Sequence, residues 1–346
     1  MTRIRTAVAV LAIALPVPAA VAGCGGGDEG GTEDPQQVLD QTFNNPERIS
    51  SGNVDIALDA SAEGAQSGSV NASIAGPFQG DPNDPTAFPQ FDLTADLSAS
   101  GAGQTFGFNG SLIATQDNAY VEYQDQPYEI GSSIFQQFKS AYARSAQQAQ
   151  AGQQQSGSVL KQFGIDPKTW VTNVTNEGDE DVEGTDTIHI HGDADVSKII
   201  SDIGKLAQQA PGGTTSVTPA QLNQIKNAVQ DATVDVYSGA DDHLLRELAI
   251  SLTIALPPGA QVSSVDVDFS ITLGEVNEQQ TISAPSGAKP ISELLNKLGI
   301  SGLPLGSLGG ASGALPGGGG GASQAYLNCV QQAKTPDDIN ACASKL

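Results

Sequence analysis

Between residues 53 and 130 the side chains alternate, apolar then polar, segment after segment, and no other feature restricts the fold of this chain so tightly. Val54, Ile56, Leu58 and Ala60 share one face of an extended segment, with Asn53, Asp55 and Asp59 on the other. The period returns through Val70, Ala72, Ile74 and Phe78, then Phe91, Leu93, Ala95 and Leu97, then Phe106, Phe108, Gly110 and Leu112. Successive residues of a strand point to opposite faces, so this pattern predicts antiparallel strands with one face wet and one apolar. Breaks at Glu63-Gly64, Gly80-Asp81-Pro82 and Gly101-Ala102-Gly103 separate them, as hairpin loops require. Two shorter strands, 119–123 and 126–130, follow a turn at Asp117-Asn118. About six consecutive strands without a helix between them read as a meander and not as a doubly wound fold.

The period then lengthens. Over residues 132–150, Ile134, Phe135, Phe138, Ala141 and Tyr142 fall on one helical face. A Gln-rich stretch at 147–155 and a short amphipathic piece carrying Val159, Leu160 and Phe163 come next. Trp170, the only tryptophan, leads into strands at 171–176 and 185–191. A helix at 196–209 presents Ile199, Ile200, Ile203 and Leu206. Another starts at Thr218-Pro219, where Thr218 and Gln221 fit a capping box and Pro219 fits the first helical position. Alternation resumes at 233–237, 244–256 and 264–273, with a last short strand near 281–283 and a short helix at 290–298. Ahead of the strands, residues 35–43 form a short helix with Val38, Leu39 and Thr42 on one side.

A sheet with one apolar face needs a cover, and amphipathic helices inserted mid-chain supply it. The candidate site is an apolar cavity between the two. From the sheet it takes Val54, Ile56, Leu58, Val70, Ile74, Phe91, Leu93, Leu97, Phe106, Phe108 and Leu112. From the helices it takes Phe135, Phe138, Ile199, Ile203 and Leu206. Plain core packing is the other role open to each of these residues, and a cavity requires the helices to stand off the sheet.

The ends of the chain carry a different message. Basic Thr2-Arg3-Ile4-Arg5, an apolar run at 7–15 and small residues before Cys24 have the order of a secretory signal peptide, residues 1–23. Val21-Ala22-Gly23-Cys24 resembles a bacterial lipobox. That resemblance implies cleavage before Cys24, a diacylglycerol on its sulfur and an acyl group on its new amine; the alternative is an ordinary secreted protein with a chance cysteine. Two acyl chains hold a protein firmly on a bilayer where one gives marginal attachment. Residues 24–34, rich in Gly, read as a flexible lipidated tether. No other segment reaches the roughly 18 to 20 apolar residues of a membrane crossing.

Past the domain at 35–298, residues 299–322 are a Gly, Ser, Pro and Leu linker, and 323–346 a helical hairpin. Three cysteines divide into Cys24 and a pair, Cys329 and Cys342, with 12 residues between them. Outside the cytoplasm such a pair reads as a disulfide, worth roughly 3 kcal/mol by chain entropy for so short a loop. A metal site is the rival reading of the pair, without a nearby histidine.

Charge excludes some partners. With 39 Asp and Glu against 15 Lys and Arg the net charge is −24, which repels nucleic acid and anionic headgroups alike. The anchor, and not the surface, must then hold the protein at a membrane. His189 and His191 lie two apart on a strand and point the same way; a third ligand would make them a metal site, and solvated side chains on an acidic face are the alternative. His243, the only other histidine, lies in a turn far along the chain. Asp179-Glu180-Asp181 reads as a charged hairpin turn, lacking the spaced ligands of a calcium loop. No Gly-x-Ser-x-Gly elbow is present, so an enzyme is not expected. Neither a cofactor nor a metal enters this reading.

Three stretches carry a family likeness: Gly184 through His189-Ile190-His191 to Asp195, Val234-Asp235-Val236-Tyr237 running on to Leu244-Leu245-Arg246-Glu247-Leu248, and Tyr120-Val121-Glu122-Tyr123 with Tyr128-Glu129-Ile130. They resemble the LolA/LolB-like superfamily, and more closely its actinobacterial LppX/LprG-type lipoproteins. The family often has Trp where Tyr237 stands, and the Cys-pair tail is not part of its core pattern. The resemblance implies an α+β fold, an antiparallel sheet curled into an open half-barrel with helices on its concave face. It implies acyl chains of a lipid or lipidated ligand in the space between. The expectation is therefore a membrane-anchored, extracytoplasmic lipid-binding lipoprotein, with a filled-core interaction or sensor lipoprotein, docking an envelope protein, as the alternative.

Overall fold

Alternating side chains become paired strands in the structure, a computed structural model that describes residues 32–84, 86–101, 103–152, 166–209, 227–257 and 260–297. The signal peptide, Cys24, the piece with Val159, Leu160 and Phe163, the start of the helix at Thr218, and the tail with Cys329 and Cys342 lie outside the described residues. The first meander comprises β1 (Ser51–Gly64), β2 (Gly68–Gln79), β3 (Gln90–Gly101), β4 (Gln104–Ala114), β5 (Ala119–Tyr123) and β6 (Gln126–Glu129). The second comprises β7 (Val171–Val182), β8 (Thr185–Ala194), β9 (Val229–Gly239), β10 (Leu245–Ala255) and β11 (Val262–Gly274). With the two-residue β12 (Lys289–Pro290) they form one open twelve-stranded sheet. Its order is β12-β6-β5-β4-β3-β2-β1-β11-β10-β9-β8-β7. Pairing is antiparallel except between β12 and β6.

Register carries one apolar face from one meander into the other. Ile74 lies opposite Ile56, Ile56 opposite Ile271, Ile271 opposite Leu248, Leu248 opposite Val236, and Val236 opposite Ile190. Gly76 permits the close approach of β2 to β3. Its φ is +146°, and a Cβ there would stand 2.0 Å from the Asp92 carbonyl oxygen.

The helices pack on that apolar face. Helix α1 (Pro35–Phe43) starts because the Asp34 carboxylate accepts the Gln37 N–H at 3.0 Å and Pro35 occupies its first turn. It buries Val38, Leu39 and Phe43 against β7, β8 and β9. Helix α3 (Val196–Gln209) is capped by Asp195, whose carboxylate accepts the N–H groups of Ser197 and Lys198 at 3.1 and 3.2 Å. A 3₁₀ turn (Pro167–Trp170) leads into β7, and the Trp170 indole N–H donates to Asp202 of α3 at 2.9 Å. Together they form the main core, in which Ile188, Ile190, Ile199, Val234, Val236, Leu248 and Ile250 are buried.

A second, smaller core joins Ala114 and Ala119 to Phe135 of α2 (Ser132–Gly152). Phe88 stands edge-on to Phe135 at 5.5 Å between centroids. The short α4 (Ile291–Lys297) buries Leu294 beside β6.

Two expectations are corrected. Residues 281–283 form no strand; the chain there runs as a coil that begins where the Gln79 side chain accepts the Gln280 N–H at 2.8 Å. Asp179-Glu180-Asp181 is not a turn but the end of β7, paired with Ile188, Thr187 and Asp186. The turn falls at Glu183-Gly184, where both residues take positive φ.

Candidate functional site

The sheet residues named from sequence all fall on the helix-bearing face. Their cross-strand rows run Val54 toward Leu93 and Leu112, Leu58 through Ala72 to Leu97 and Phe108, and Val70 through Ala99 to Phe106. The cover over them is uneven. Helix α1, helix α3 and the 3₁₀ turn serve the β7–β11 half, and α2 covers the end of β4 and β5 around Ala114 and Ala119. Between these two cores Leu58, Val70, Ile74, Leu97, Phe106, Phe108 and Leu112 remain between 36% and 59% exposed. Val54, Ile56, Phe91 and Leu93 are half-buried. Phe138 is half-buried on α2, whereas Phe135 and Ile199 are fully committed to the two cores. Ile203 and Leu206 stand on α3, and their side chains are outside the described set.

A contiguous apolar surface of this kind marks a site of ligand, protein or membrane contact. Its floor is rigid, because β1 to β4 pair along nearly their full length.

The opposite face is polar and acidic. A cavity of about 620 Å³ opens there across β1 to β4, lined chiefly by Asp59, Asn71, Ser73, Asp96, Ser98 and Asn109. Carboxylates on this face are matched to neutral donors on the next strand. Asn71 donates to Asp59, Ser251 to Asp268 at 2.7 Å, and Thr253 to Asp266 at 2.9 Å.

Farther along the same face stand His189 and His191. They stand on the polar outer face of β8 as expected, His191 with 40% of its side chain exposed and His189 with 17%, but they share a carboxylate partner. His189 Nε2 lies 2.8 Å and His191 Nδ1 2.7 Å from the same Oδ1 of Asp235. The Tyr237 ring stacks on His189 at 4.4 Å, and Glu180 Oε2 is 3.3 Å from His189 Nδ1. The cause is register. His189 lies opposite Tyr237 and His191 opposite Asp235, so the two-residue period of β8 meets that of β9.

Electrostatics follow the same neighbours. The hydrogen bond to Asp235 raises the His189 imidazole above its ordinary value against the opposing effect of burial, with Asp235, Glu180 and Glu177 adding by charge. Burial pushes the Asp235 carboxyl up, but its bonds with His189 and His191 outweigh that and hold it below the usual range. Tyr237 is pushed up to about 12 by burial and by Glu180, Asp235 and Glu247. Burial also raises Glu247, against a bond from Thr272. Asp235 is the residue that sequence reasoning missed here; its one signal was the Val-Asp-Val alternation of β9, which aims it away from the core.

No family model matches the chain. No curated protein matches it either. Among solved structures it is similar to LprF from Mycobacterium bovis, at 15% identity over 75% of this chain and 100% of that one, with a TM-score of 0.35. It is similar to the Mycobacterium tuberculosis lipoprotein LppX at 14% identity, over 72% of this chain and 98% of that one, with a TM-score of 0.32. A structure describing lipid–protein interactions in lipovitellin matches at 7% identity over 71% of this chain and 27% of that one, with a TM-score of 0.26.

Proposed function

We propose that this chain is a lipoprotein anchored through Cys24 on the outer side of a bacterial cell membrane, which binds lipid acyl chains along the open apolar face of β1–β4. One observation carries the reading: Leu58, Val70, Ile74, Leu97, Phe106, Phe108 and Leu112 form a single exposed apolar field between two separate cores. In this reading the sheet is a half-barrel whose helix-bearing face is concave, and an acyl chain completes the packing that the described helices leave open. The driving force is removal of methylenes from water, about 0.8 kcal/mol each, so affinity tracks chain length more than headgroup. No helix among the described residues is long and apolar enough to cross a membrane. The tether and the acylated cysteine supply attachment in this account. The protein acts by binding and not by catalysis.

The test uses the chain with Cys24→Ala, so that its own acyl groups do not contribute. The protein is purified from cells, extracted with organic solvent and the extract read by mass spectrometry; a fluorescent acyl probe is then titrated into the delipidated protein. Stoichiometric lipid and saturable probe binding support the proposal. Absence of both co-purified lipid and saturable probe binding refutes it.

A second reading, an interaction or sensor lipoprotein, is favoured by the cavity of about 620 Å³ lying on the polar face. Under that reading the same titration gives no acyl binding, while an envelope protein captured from membranes is lost when the Asp59–Asp96 surface is neutralised.

A further inference from the structure

Two imidazoles two residues apart on a strand project from one face, and the neighbouring strand supplies a third donor between them. The donor atoms of His189, His191 and Asp235 all lie within 4.8 Å of one another. Both imidazole nitrogens converge on one carboxylate oxygen at hydrogen-bond distance. An ion with metal–nitrogen bonds of about 2.0–2.1 Å fits among them after small side-chain rotations. The surroundings are those of a built site. His189 Nδ1, the nitrogen turned away from Asp235, faces the Glu180 carboxylate at 3.3 Å, the arrangement by which a carboxylate orients a ligating imidazole. Tyr237 stacks flat on the same ring, with 12° between planes, and fixes its rotation. The side chains of His189, Asp235 and His191 are 17%, 23% and 40% exposed, so the cluster is held by the sheet yet open to solvent on the His191 side.

Two imidazoles and one carboxylate suit a late first-row divalent ion, since calcium and magnesium call for oxygen donors alone. The chain's net charge of −24 raises the local concentration of any cation. We propose that His189, His191 and Asp235 bind one such transition-metal ion, with water completing the coordination and Glu180 orienting His189. The site stands on the face opposite the apolar field, so its success or failure is independent of lipid binding.

The experiment takes the full chain, stripped with a chelator, and titrates Zn²⁺ by calorimetry in excess Mg²⁺, with bound metal counted after gel filtration. One Zn²⁺ per chain is expected. His191→Ala and Asp235→Asn each weaken binding at least tenfold while the metal-free protein still unfolds cooperatively and the acyl-probe affinity stays as in the parent. Glu180→Gln keeps the stoichiometry and weakens the affinity roughly tenfold, as loss of an outer carboxylate does. Co²⁺ substitution is expected to give visible d–d bands without the near-ultraviolet charge-transfer band of a thiolate. Absence of uptake above Mg²⁺ overturns the proposal. Uptake unchanged by His191→Ala and Asp235→Asn, or a thiolate band that assigns the ion to cysteines, also overturns it.

Discussion

Val70→Thr combined with Ile74→Thr tests the apolar face at two positions of β2, either side of Ala72, without disturbing the strand. Thr is β-branched like the residues it replaces, so the backbone preference is kept. Val70 is 39% and Ile74 43% exposed, so somewhat more than half of each side chain is already covered by the protein itself. Full burial of a Val or Ile side chain is worth about 1.5–3 kcal/mol, and the uncovered two-fifths therefore offers a ligand about 0.6–1.2 kcal/mol per residue. Losing both contributions weakens acyl binding by about 1.2–2.4 kcal/mol, roughly 10- to 60-fold in Kd. By the same reckoning the covered three-fifths limits the loss of protein stability to about 1–2 kcal/mol per site. Fluorescent acyl-probe titration and urea unfolding read the two quantities on the same samples. A Kd within twofold of the parent, with folding intact, refutes the claim that acyl chains lie on this face. A loss of several kcal/mol in stability with unchanged binding refutes it too, because the face would then be core.

Other positions separate core from site. Phe135→Ala, at a side chain 2% exposed, should cost about 3–5 kcal/mol in urea unfolding and leave the Zn²⁺ titration unchanged. Gly76→Ala forces a Cβ into the Asp92 carbonyl at a φ of +146°, so the variant should lose several kcal/mol or fail to accumulate as folded protein by circular dichroism. Asp92 has its pKa raised above its ordinary 3.8 by burial, so the folded state disfavours its charged form. The ionised carboxylate lowers stability above its folded-state pKa, and that loss disappears as pH falls below the ordinary value. Asp92→Asn should therefore raise the urea midpoint at pH 7 and give no gain near pH 3; a gain that persists at the lower pH refutes burial of charge as the cause.

What could be read in the residues was whatever depends on near neighbours. The helix at 196–209 was legible at both ends because Asp195 caps it and its apolar stripe spans its length. The strands of the first meander were legible because alternation names a face without naming a partner. Distant pairing was not. Nothing local tells Ile56 to lie beside Ile271, or His191 beside Asp235, since register between remote strands is settled by the whole buried face at once. The acidic run at 179–181 was misread because three adjacent carboxylates look like a loop, whereas the chain reverses at Glu183-Gly184, where Gly184 accepts a positive φ without strain. Residues 281–283 alternate for too few positions to outweigh the side-chain bond that ties Gln280 to Gln79.

The ladder between β1 and β11 joins the two meanders along a single line, with Leu58 meeting Phe269 near its middle. All of the first meander precedes β11 in the chain, so when the chain emerges from its N-terminus onward the rim of β1 waits for a strand about 200 residues away. Along that rim Asp55 and Asp59 recur on the wet side, and charges there discourage a passing strand from another chain. Assembly of this molecule is thus a rendezvous. The last long strand closes it, and a chain stopped short of Val262 would leave a half-sheet whose seam only those charges protect.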